Sequence, residues 1–157
     1  MTLHSIPAPE RKYRVAGHPD LRVAILDVGL ACCALEVGAA ITAGLLVPEG
    51  SGDTGPATSE VSVLLISGTV TDALAPAVVR AWGALAEPRL AVSFGACANT
   101  GGPYWDAPTV TKGIDQLIPI SVYSPGCPPR PEALIAGLAR LASTDGPCQS
   151  ERGDESP

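Results

Sequence analysis

Aromatic residues are scarce in this chain, and acidic residues outnumber basic ones. The 157 residues include one Phe, two Trp and three Tyr, and 10 Lys and Arg stand against 16 Asp and Glu, a formal charge of −6. Proteins whose main partner is nucleic acid usually carry a basic patch and an excess of positive charge. The composition therefore argues against nucleic acid as the main partner.

Long hydrophobic runs are also missing. Gly, Pro, Asp or Glu interrupts each apolar segment before it reaches the roughly 18 residues that a membrane-crossing helix needs. The first residues carry His4, Pro7, Pro9 and several basic side chains, with no apolar core behind Met1. We therefore expect no secretion signal, a soluble or peripheral protein, and little reason for a disulfide framework.

The chain has enough apolar sequence for one folded core. Its mass is 15.9 kDa, 46% of its residues are hydrophobic, and only 17% are charged. A chain of this size can bury a core without disulfide staples. So few charges suggest a face that other subunits cover, although a small Ala-rich enzyme has a similar composition.

Strand-like and helix-like segments alternate along the chain. Short apolar runs predict strands over residues 21–28, 61–66, 89–94 and 118–123, and the first is a β-branched run of the kind buried in a parallel sheet. Helix-compatible segments follow the strands, over residues 34–46, about 72–86, and 132–141. This order predicts an α/β fold, a doubly wound parallel sheet of about four strands. We expect one domain over residues 21–142, after an extended N-terminal arm at 1–20 and before a flexible acidic tail at 143–157.

Four cysteines follow the predicted strands. Cys32 and Cys33 follow the first, Cys97 the third and Cys127 the fourth, while Ser67 to Thr71 follow the second. Because ligands of such sheets collect at the carboxyl ends of the strands, we expect these residues along one edge. Four thiolates on Gly- and Pro-rich turns suit one 4Fe-4S cluster, although two adjacent cysteines on one cluster demand an awkward backbone.

Structural interpretations compete with this one. A single buried Cys is more often a small core residue than a ligand, and four thiolates also make a zinc site, although the usual C-x-x-C pairs are absent. Glu36 suits either a helix start or a place near the cluster, and the 67–71 turn either caps a helix through Thr71 or forms a cluster wall. Three residues are expected to lie away from the chemistry: His4, His18 and Cys148, the last as a spare exposed thiol. Arg130 is interpreted as a solvated or interface charge.

Four motifs together carry a family resemblance. They are G-L-A-C-C-A-L-E at 29–36, S-G-T-V-T at 67–71, S-F-G-A-C-A-N-T-G-G at 93–102 and V-Y-S-P-G-C-P-P-R-P-E-A-L at 122–134. With them the chain resembles the B subunit (the PSST or 20 kDa subunit) of respiratory complex I, NADH:quinone oxidoreductase. The wider family includes the small subunits of nickel-iron hydrogenases. The resemblance implies a flavodoxin-like fold, with Cys32, Cys33, Cys97 and Cys127 as ligands of one 4Fe-4S cluster.

The resemblance also implies partners and an acceptor. These are a large catalytic subunit of the complex I 49 kDa or hydrogenase type, a ferredoxin-like iron-sulfur subunit, membrane-arm subunits and quinone. The protein would then lie peripherally, at the cytoplasmic face of a membrane, as an oxidoreductase subunit that is not catalytic alone.

Two alternatives stay open at this point. Residues 39–60 contain no Lys, Arg or aromatic residue, and the first strand has a hydrogenase-like lead-in. The small subunit of a membrane-bound, energy-converting nickel-iron hydrogenase is therefore the nearest alternative, although the tandem Cys32-Cys33 favours the complex I branch. An alternative of another class is a non-redox zinc-bound or metal-free assembly module.

Overall fold

The structure, a computed structural model, describes residues 12–27, 32–50 and 60–143. The strands in these ranges are β1 (Lys12–Val15), β2 (His18–Asp27), β3 (Leu46–Pro48), β4 (Val61–Ser67), β5 (Arg89–Phe94) and β6 (Val122–Ser124). The α-helices are α1 (Cys32–Thr42), α2 (Ala75–Gly83), α3 (Ala96–Thr100) and α4 (Pro131–Ser143). Short 3₁₀ turns cover Gly102–Tyr104 and Ile114–Gln116.

One sheet holds these strands in the order β3-β1-β2-β4-β5-β6. The neighbours β2, β4, β5 and β6 are parallel, and β1 runs antiparallel between β3 and β2. The last residues of the four parallel strands pair in one row across the sheet: Asp27, Ser67, Phe94 and Ser124. The four strands therefore end level, and the turns after them begin at one straight edge.

Helices cover both faces of the parallel strands. Along β4, Val63 and Leu65 belong to one core cluster while Leu64 and Ile66 belong to the other. Helices α1 and α4 pack on the first face, and α2 and α3 pack on the second. A strand buried on both faces has no polar alternation, which is why the sequence of β4 is a continuous apolar run. The architecture confirms the predicted α/β fold and is consistent with a flavodoxin-like sheet.

The chain reverses its direction across the sheet after β2. It passes through α1 to β3 on one side of β2 and then returns to β4 on the other side. In open α/β sheets, such a reversal leaves a crevice at the carboxyl ends of the two strands. Helix α1 begins with Cys32 and Cys33 at this edge.

The N-terminal region differs from the prediction where the structure describes it. The sequence predicts an extended arm over residues 1–20, but residues 12–20 contain β1 and the start of β2, which are part of the sheet. Tyr13 and Val15 pack into the core that α1 and α4 share. A four-residue strand beside Pro19 carries too little periodicity to predict from sequence. Residues 1–11 and the predicted tail from residue 144 lie outside the described ranges, and the domain limits stay a prediction.

Three further boundaries are corrected. Helix α1 ends at Thr42 rather than 46, because residues 46–48 pair with β1 as a strand. Helix α2 is shorter than the predicted 72–86, and β6 begins at Val122 rather than 118. The turn that holds Cys97 includes a helix, α3, that the sequence analysis missed. The predicted strand at 89–94 is confirmed residue for residue.

Candidate functional site

The cysteines of the described chain lie on three elements at the carboxyl edge of the sheet. Cys32 and Cys33 are the first residues of α1, Cys97 is in the first turn of α3, and Cys127 is in the turn between β6 and α4. These elements follow β2, β5 and β6, which end level in the same row. The fold thus places residues that are distant in sequence at one edge, as the sequence predicts. Cys148 lies outside the described residues.

Burial divides the four thiols into two pairs. Cys33 is 1% exposed and Cys97 is 5% exposed, whereas Cys32 and Cys127 are exposed. Cys33 belongs to the core cluster under α1, so its sulfur points inward while its neighbour points outward. The site therefore has an inner pair of sulfurs and an outer pair.

The electrostatics of Cys33 connect it to the other three sulfurs. Burial is the largest cause that raises the pKa of Cys33 to about 12, and negative charge on Cys32, a hydrogen bond with Cys32, and charge on Cys97 and Cys127 contribute to the same rise. A thiolate interacts measurably only with nearby charges, because water and salt screen distant ones. Each of the other three thiols therefore lies near Cys33. Among residues 12–27, 32–50 and 60–143, no group of three His, Cys, Asp or Glu side chains has the spacing to hold a single metal ion.

Two glycines leave space for the inner sulfurs. A Cβ on Gly95 would lie 2.3 Å from Cys33 Sγ, and a Cβ on Gly102 would lie 3.0 Å from Cys97 Sγ. Gly95 also has φ +94° and ψ 160°, a region that residues with a side chain avoid. Any other residue at these two positions would displace a sulfur or the backbone next to it.

Hydrogen bonds join the turn of Cys97 to the turn of Cys127. The Gly95 N–H donates to the Ser124 carbonyl at 2.9 Å, and the Ala96 N–H donates to the Gly126 carbonyl at 2.8 Å. These bonds continue the β5–β6 pairing beyond the ends of the strands. They hold the two turns side by side through the protein's own backbone.

The sequence analysis missed Asn99, whose side chain lies between the same two strands. Its amide oxygen accepts a hydrogen bond from Ser93 Oγ, and its amide nitrogen lies 3.3 Å from the Ser124 carbonyl oxygen. Asn99 belongs to the motif at 93–102, but no local pattern shows which groups its side chain binds.

The turn after β4 is tied to the loop that follows α3. Thr71 forms a bridge with Val110, the Thr111 N–H donates to the Val70 carbonyl at 2.9 Å, and the Asp72 N–H donates to the Thr109 carbonyl at 2.9 Å. Helix α2 has no side-chain cap, so the interpretation of Thr71 as a side-chain N-cap is wrong. The role of residues 67–71 as a cluster wall stays a prediction.

The remaining candidates lie outside the group of thiols. Glu36 is half-buried in α1, one turn after Cys32, and Arg130 is exposed just before α4. His18 begins β2 and pairs with Val15, so it lies at the opposite end of that strand from the cysteines. His4 falls in the undescribed N-terminal residues.

Large apolar side chains are exposed on α1 and in the 3₁₀ turn that follows α3. Leu35 of α1 is 76% exposed, and Tyr104 and Trp105, which follow Gly102, are 57% and 63% exposed. Lys112 Nζ lies 5.9 Å from the centre of the Trp105 ring and donates to the Trp105 carbonyl. No helix of the described chain is both long enough and apolar enough to span a bilayer.

The protein is therefore a doubly wound α/β protein whose cysteines lie at the carboxyl edge of the sheet. Residues 22–141 match the family model described as NADH ubiquinone oxidoreductase, 20 Kd subunit. The chain belongs to this family, as its motifs predict.

Curated relatives support the same assignment. The B 2 subunit of the NADH-quinone oxidoreductase of Streptomyces griseus is 48% identical over 118 residues, which are 74% of this chain and 50% of the relative. The B subunit of the NADH-quinone oxidoreductase of Amoebophilus asiaticus is 44% identical over 123 residues, 74% of this chain and 73% of the relative. The chain spans half to about two thirds of the length of the first relatives that it matches.

Two solved structures share the fold. A chain of the membrane-bound sulfane sulfur reductase, an archaeal respiratory membrane complex, aligns with a TM-score of 0.58 at 28% identity, over 75% of this chain and 67% of that one. A chain of an NAD⁺-reducing [NiFe]-hydrogenase aligns with a TM-score of 0.50 at 19% identity, over 82% of this chain and 94% of that one. The hydrogenase likeness is one of fold alone.

Proposed function

We propose that this chain is an electron-transfer subunit that holds one 4Fe-4S cluster on Cys32, Cys33, Cys97 and Cys127. It works in a complex I-like, membrane-associated NADH:quinone oxidoreductase and passes electrons to quinone. The observation that carries the proposal is the placement of the four cysteines on three elements that follow the level ends of β2, β5 and β6. The charges of the other three thiols also act on Cys33. Thiols that disfavour one another's charge call for a cationic partner once all four are deprotonated.

The residues present fit such a cluster. Four thiolates form the ligand set of a 4Fe-4S cluster, which takes up and releases one electron at a time. The inner sulfurs of Cys33 and Cys97 are buried, and Gly95 and Gly102 pack directly against them, where a Cβ would clash with the sulfur. A buried side of this kind limits the access of water, which is one of the levers that set a reduction potential.

The zinc alternative fits less well. A tetrahedral zinc site requires four ligands at about 2.3 Å from one ion, and the described side chains include no group of three with the spacing for one ion. In a 4Fe-4S cluster each thiolate binds its own iron, so the sulfurs surround the metals without converging on one point. The C-x-x-C pairs that are usual in structural zinc sites are also absent from the sequence.

The exposed half of the site suits a partner subunit. Cys32, Cys127 and Leu35 are exposed at or beside the site, where a cluster ligand would need cover from water. The relatives are named as subunits of NADH-quinone oxidoreductase. The expected partners are a large catalytic subunit of the 49 kDa type, a ferredoxin-like iron-sulfur subunit and membrane-arm subunits. The chain would be peripheral, at the cytoplasmic face of the membrane.

A second candidate acceptor follows from one comparison. The 28% identical chain belongs to a sulfane sulfur reductase, a respiratory membrane complex whose name specifies an acceptor other than quinone. The same cluster site would suit either acceptor. The acceptor would bind between this chain and its partner subunit, so the partner also decides which acceptor is used. Quinone-dependent and sulfur-dependent oxidation of the reduced whole complex distinguishes the two.

The cluster is tested on the full chain, purified without oxygen and supplied with iron and sulfide. We expect about four irons and four sulfides per chain and an electron paramagnetic resonance signal on reduction. Cys127→Ala should lose most of the iron, whereas the control Cys148→Ala should retain it. A Cys127→Ala chain with the full iron content, or a wild-type chain that holds zinc in preference to iron, would overturn the proposal.

A further inference from the structure

Asn99 connects the ends of the two strands that lead to Cys97 and Cys127. Its amide accepts a hydrogen bond from Ser93 Oγ on β5, and its nitrogen lies 3.3 Å from the Ser124 carbonyl oxygen on β6. With the amide turned over, the nitrogen donates instead to the carbonyls of Ser93 at 3.1 Å and Gly95 at 3.2 Å. In both orientations the amide binds the end of β5, directly before the turn of Cys97.

The groups that Asn99 contacts are buried and need partners. Ser93 is fully buried and Ser124 is 4% exposed. A buried polar group that loses its hydrogen bond costs more free energy than the bond itself contributes, because water cannot replace the partner. The Asn99 contacts are therefore costly to break.

Helix α3 depends on its neighbours for its position. It is five residues long, too short to be stable by itself in water, so the position of Cys97 depends on what the helix contacts. Gly113 lies against its other end, where an added Cβ would come 2.6 Å from the Asn99 carbonyl oxygen. The backbone of Asn99 thus lies against Gly113 on one side, while its side chain binds the end of β5 in either orientation and lies beside Ser124 of β6 on the other.

We propose that Asn99 is a positioning residue that fixes the turn of Cys97 against the turn of Cys127. Asn99 itself contributes no ligand. The inference about cluster binding rests on the proposed function, whereas the contact between the two turns does not.

The first test needs no iron. In the full-length protein without metal, Asn99→Ala should speed the hydrogen exchange of the Gly95 and Ala96 amides, which donate to Ser124 and Gly126 across the two turns. We expect exchange at least about tenfold faster, which is the effect of losing one buried hydrogen bond. Thr100→Ala is the matched control, because the Thr100 hydroxyl is in the same helix but bonds only back to the Ala96 carbonyl.

The second test uses the iron-loaded protein. Asn99→Ala should release iron to a chelator roughly tenfold faster than Thr100→Ala and should change the resonance spectrum of the reduced protein. Ser93→Ala, which deletes only the hydroxyl that Asn99 binds, should give a smaller change in the same direction and serves if Asn99→Ala does not fold.

The outcomes separate the two proposals. Exchange and iron release equal to those of Thr100→Ala would overturn the role of Asn99 and leave the cluster proposal intact. Faster exchange in a protein whose wild type never takes up iron would support the role of Asn99 between the turns and overturn the proposed function.

Discussion

Gly95 lies directly against the sulfur of Cys33, so close that a Cβ on Gly95 would be 2.3 Å from Cys33 Sγ. The two residues are on different elements, one at the end of β5 and the other in the first turn of α1. Their contact joins the edge of the sheet to the tandem cysteine.

Gly95→Ala should therefore displace Cys33 and strain the backbone at φ +94°. We expect the unfolding free energy of the metal-free protein to fall by about 1–3 kcal/mol from overpacking. A further cost of about 1–3 kcal/mol is expected from the glycine-only conformation. Most of the iron-binding capacity should be lost as well, measured as iron per chain after reconstitution and by urea unfolding.

Gly38→Ala is the control for this change. Gly38 is in α1 with Cys33, but no atom lies within 4 Å of where its Cβ would be. Alanine in a helix interior should stabilise the protein by roughly 0.5–1 kcal/mol. Equal behaviour of the two variants would contradict the contact between Gly95 and Cys33.

The thiols should react with iodoacetamide in two groups. In the metal-free protein at about pH 8, Cys32 and Cys127 should be alkylated well before Cys33 and Cys97, because the second pair is buried. Mass spectrometry of timed samples gives the order in which the cysteines are alkylated. A sample in denaturant, where all five cysteines react, gives the maximum extent of alkylation. Early labelling of Cys33 would show that its sulfur is not in the core.

The raised pKa of Cys33 makes the free energy of unfolding depend on pH. Since the folded pKa of about 12 exceeds the ordinary 9.0, the fold favours the protonated thiol. Its contribution to stability is complete below pH 9.0 and is lost as the pH rises toward 12. Cys33→Ala should flatten the decline of the unfolding free energy in this window, relative to the control Cys148→Ala.

Glu60 should supply stability that disappears in acid. A hydrogen bond from Arg14, 2.8 Å long, and the charges of Arg22, Arg14 and Lys12 hold the pKa of Glu60 below its usual 4.5. The contribution is complete above pH 4.5 and is lost as the pH falls through the lowered value. Glu60→Gln should therefore weaken the dependence of urea unfolding on pH below 4.5.

Glu87→Gln is the control variant for Glu60→Gln. Glu87 pairs with Arg89 at 2.8 Å, but its side chain is 71% exposed. Exposed ion pairs contribute little to stability, so this variant should follow the wild type across the acid range. An identical acid profile for both variants would count against the special role of Glu60.

Thr111→Val should be neutral or stabilising. The Thr111 hydroxyl is buried and finds no hydrogen-bond partner among the described residues, while its backbone N–H bonds to Val70. Valine has the same shape and removes an unpaired polar group, so the unfolding free energy should stay within about 1 kcal/mol of the wild type or rise. A loss of more than about 2 kcal/mol in urea unfolding would reveal a partner for this hydroxyl.

Segments with strong patterns were predictable. The continuous apolar run of β4 and the mainly apolar run of β5 marked strands, and the strand at 89–94 has the predicted bounds. Short elements were not: β1 and β3 have four and three residues, and they are strands only because each pairs with a neighbour. Helix α3 likewise depends on contacts with β5, β6 and Gly113, which no local pattern records.

The sequence alone determined the alternation of strands and helices, the family, and the identity of the four candidate ligands. It did so because hydrophobic periodicity and motif residues are local properties of a chain. Only the tertiary structure decided that Cys33 and Cys97 are buried while Cys32 and Cys127 are exposed, and that Asn99 lies between the strands that lead to two of the cysteines. These features depend on the level ends of the parallel strands and on which face each neighbouring element covers, and such relations exist only after distant parts of the chain have packed together.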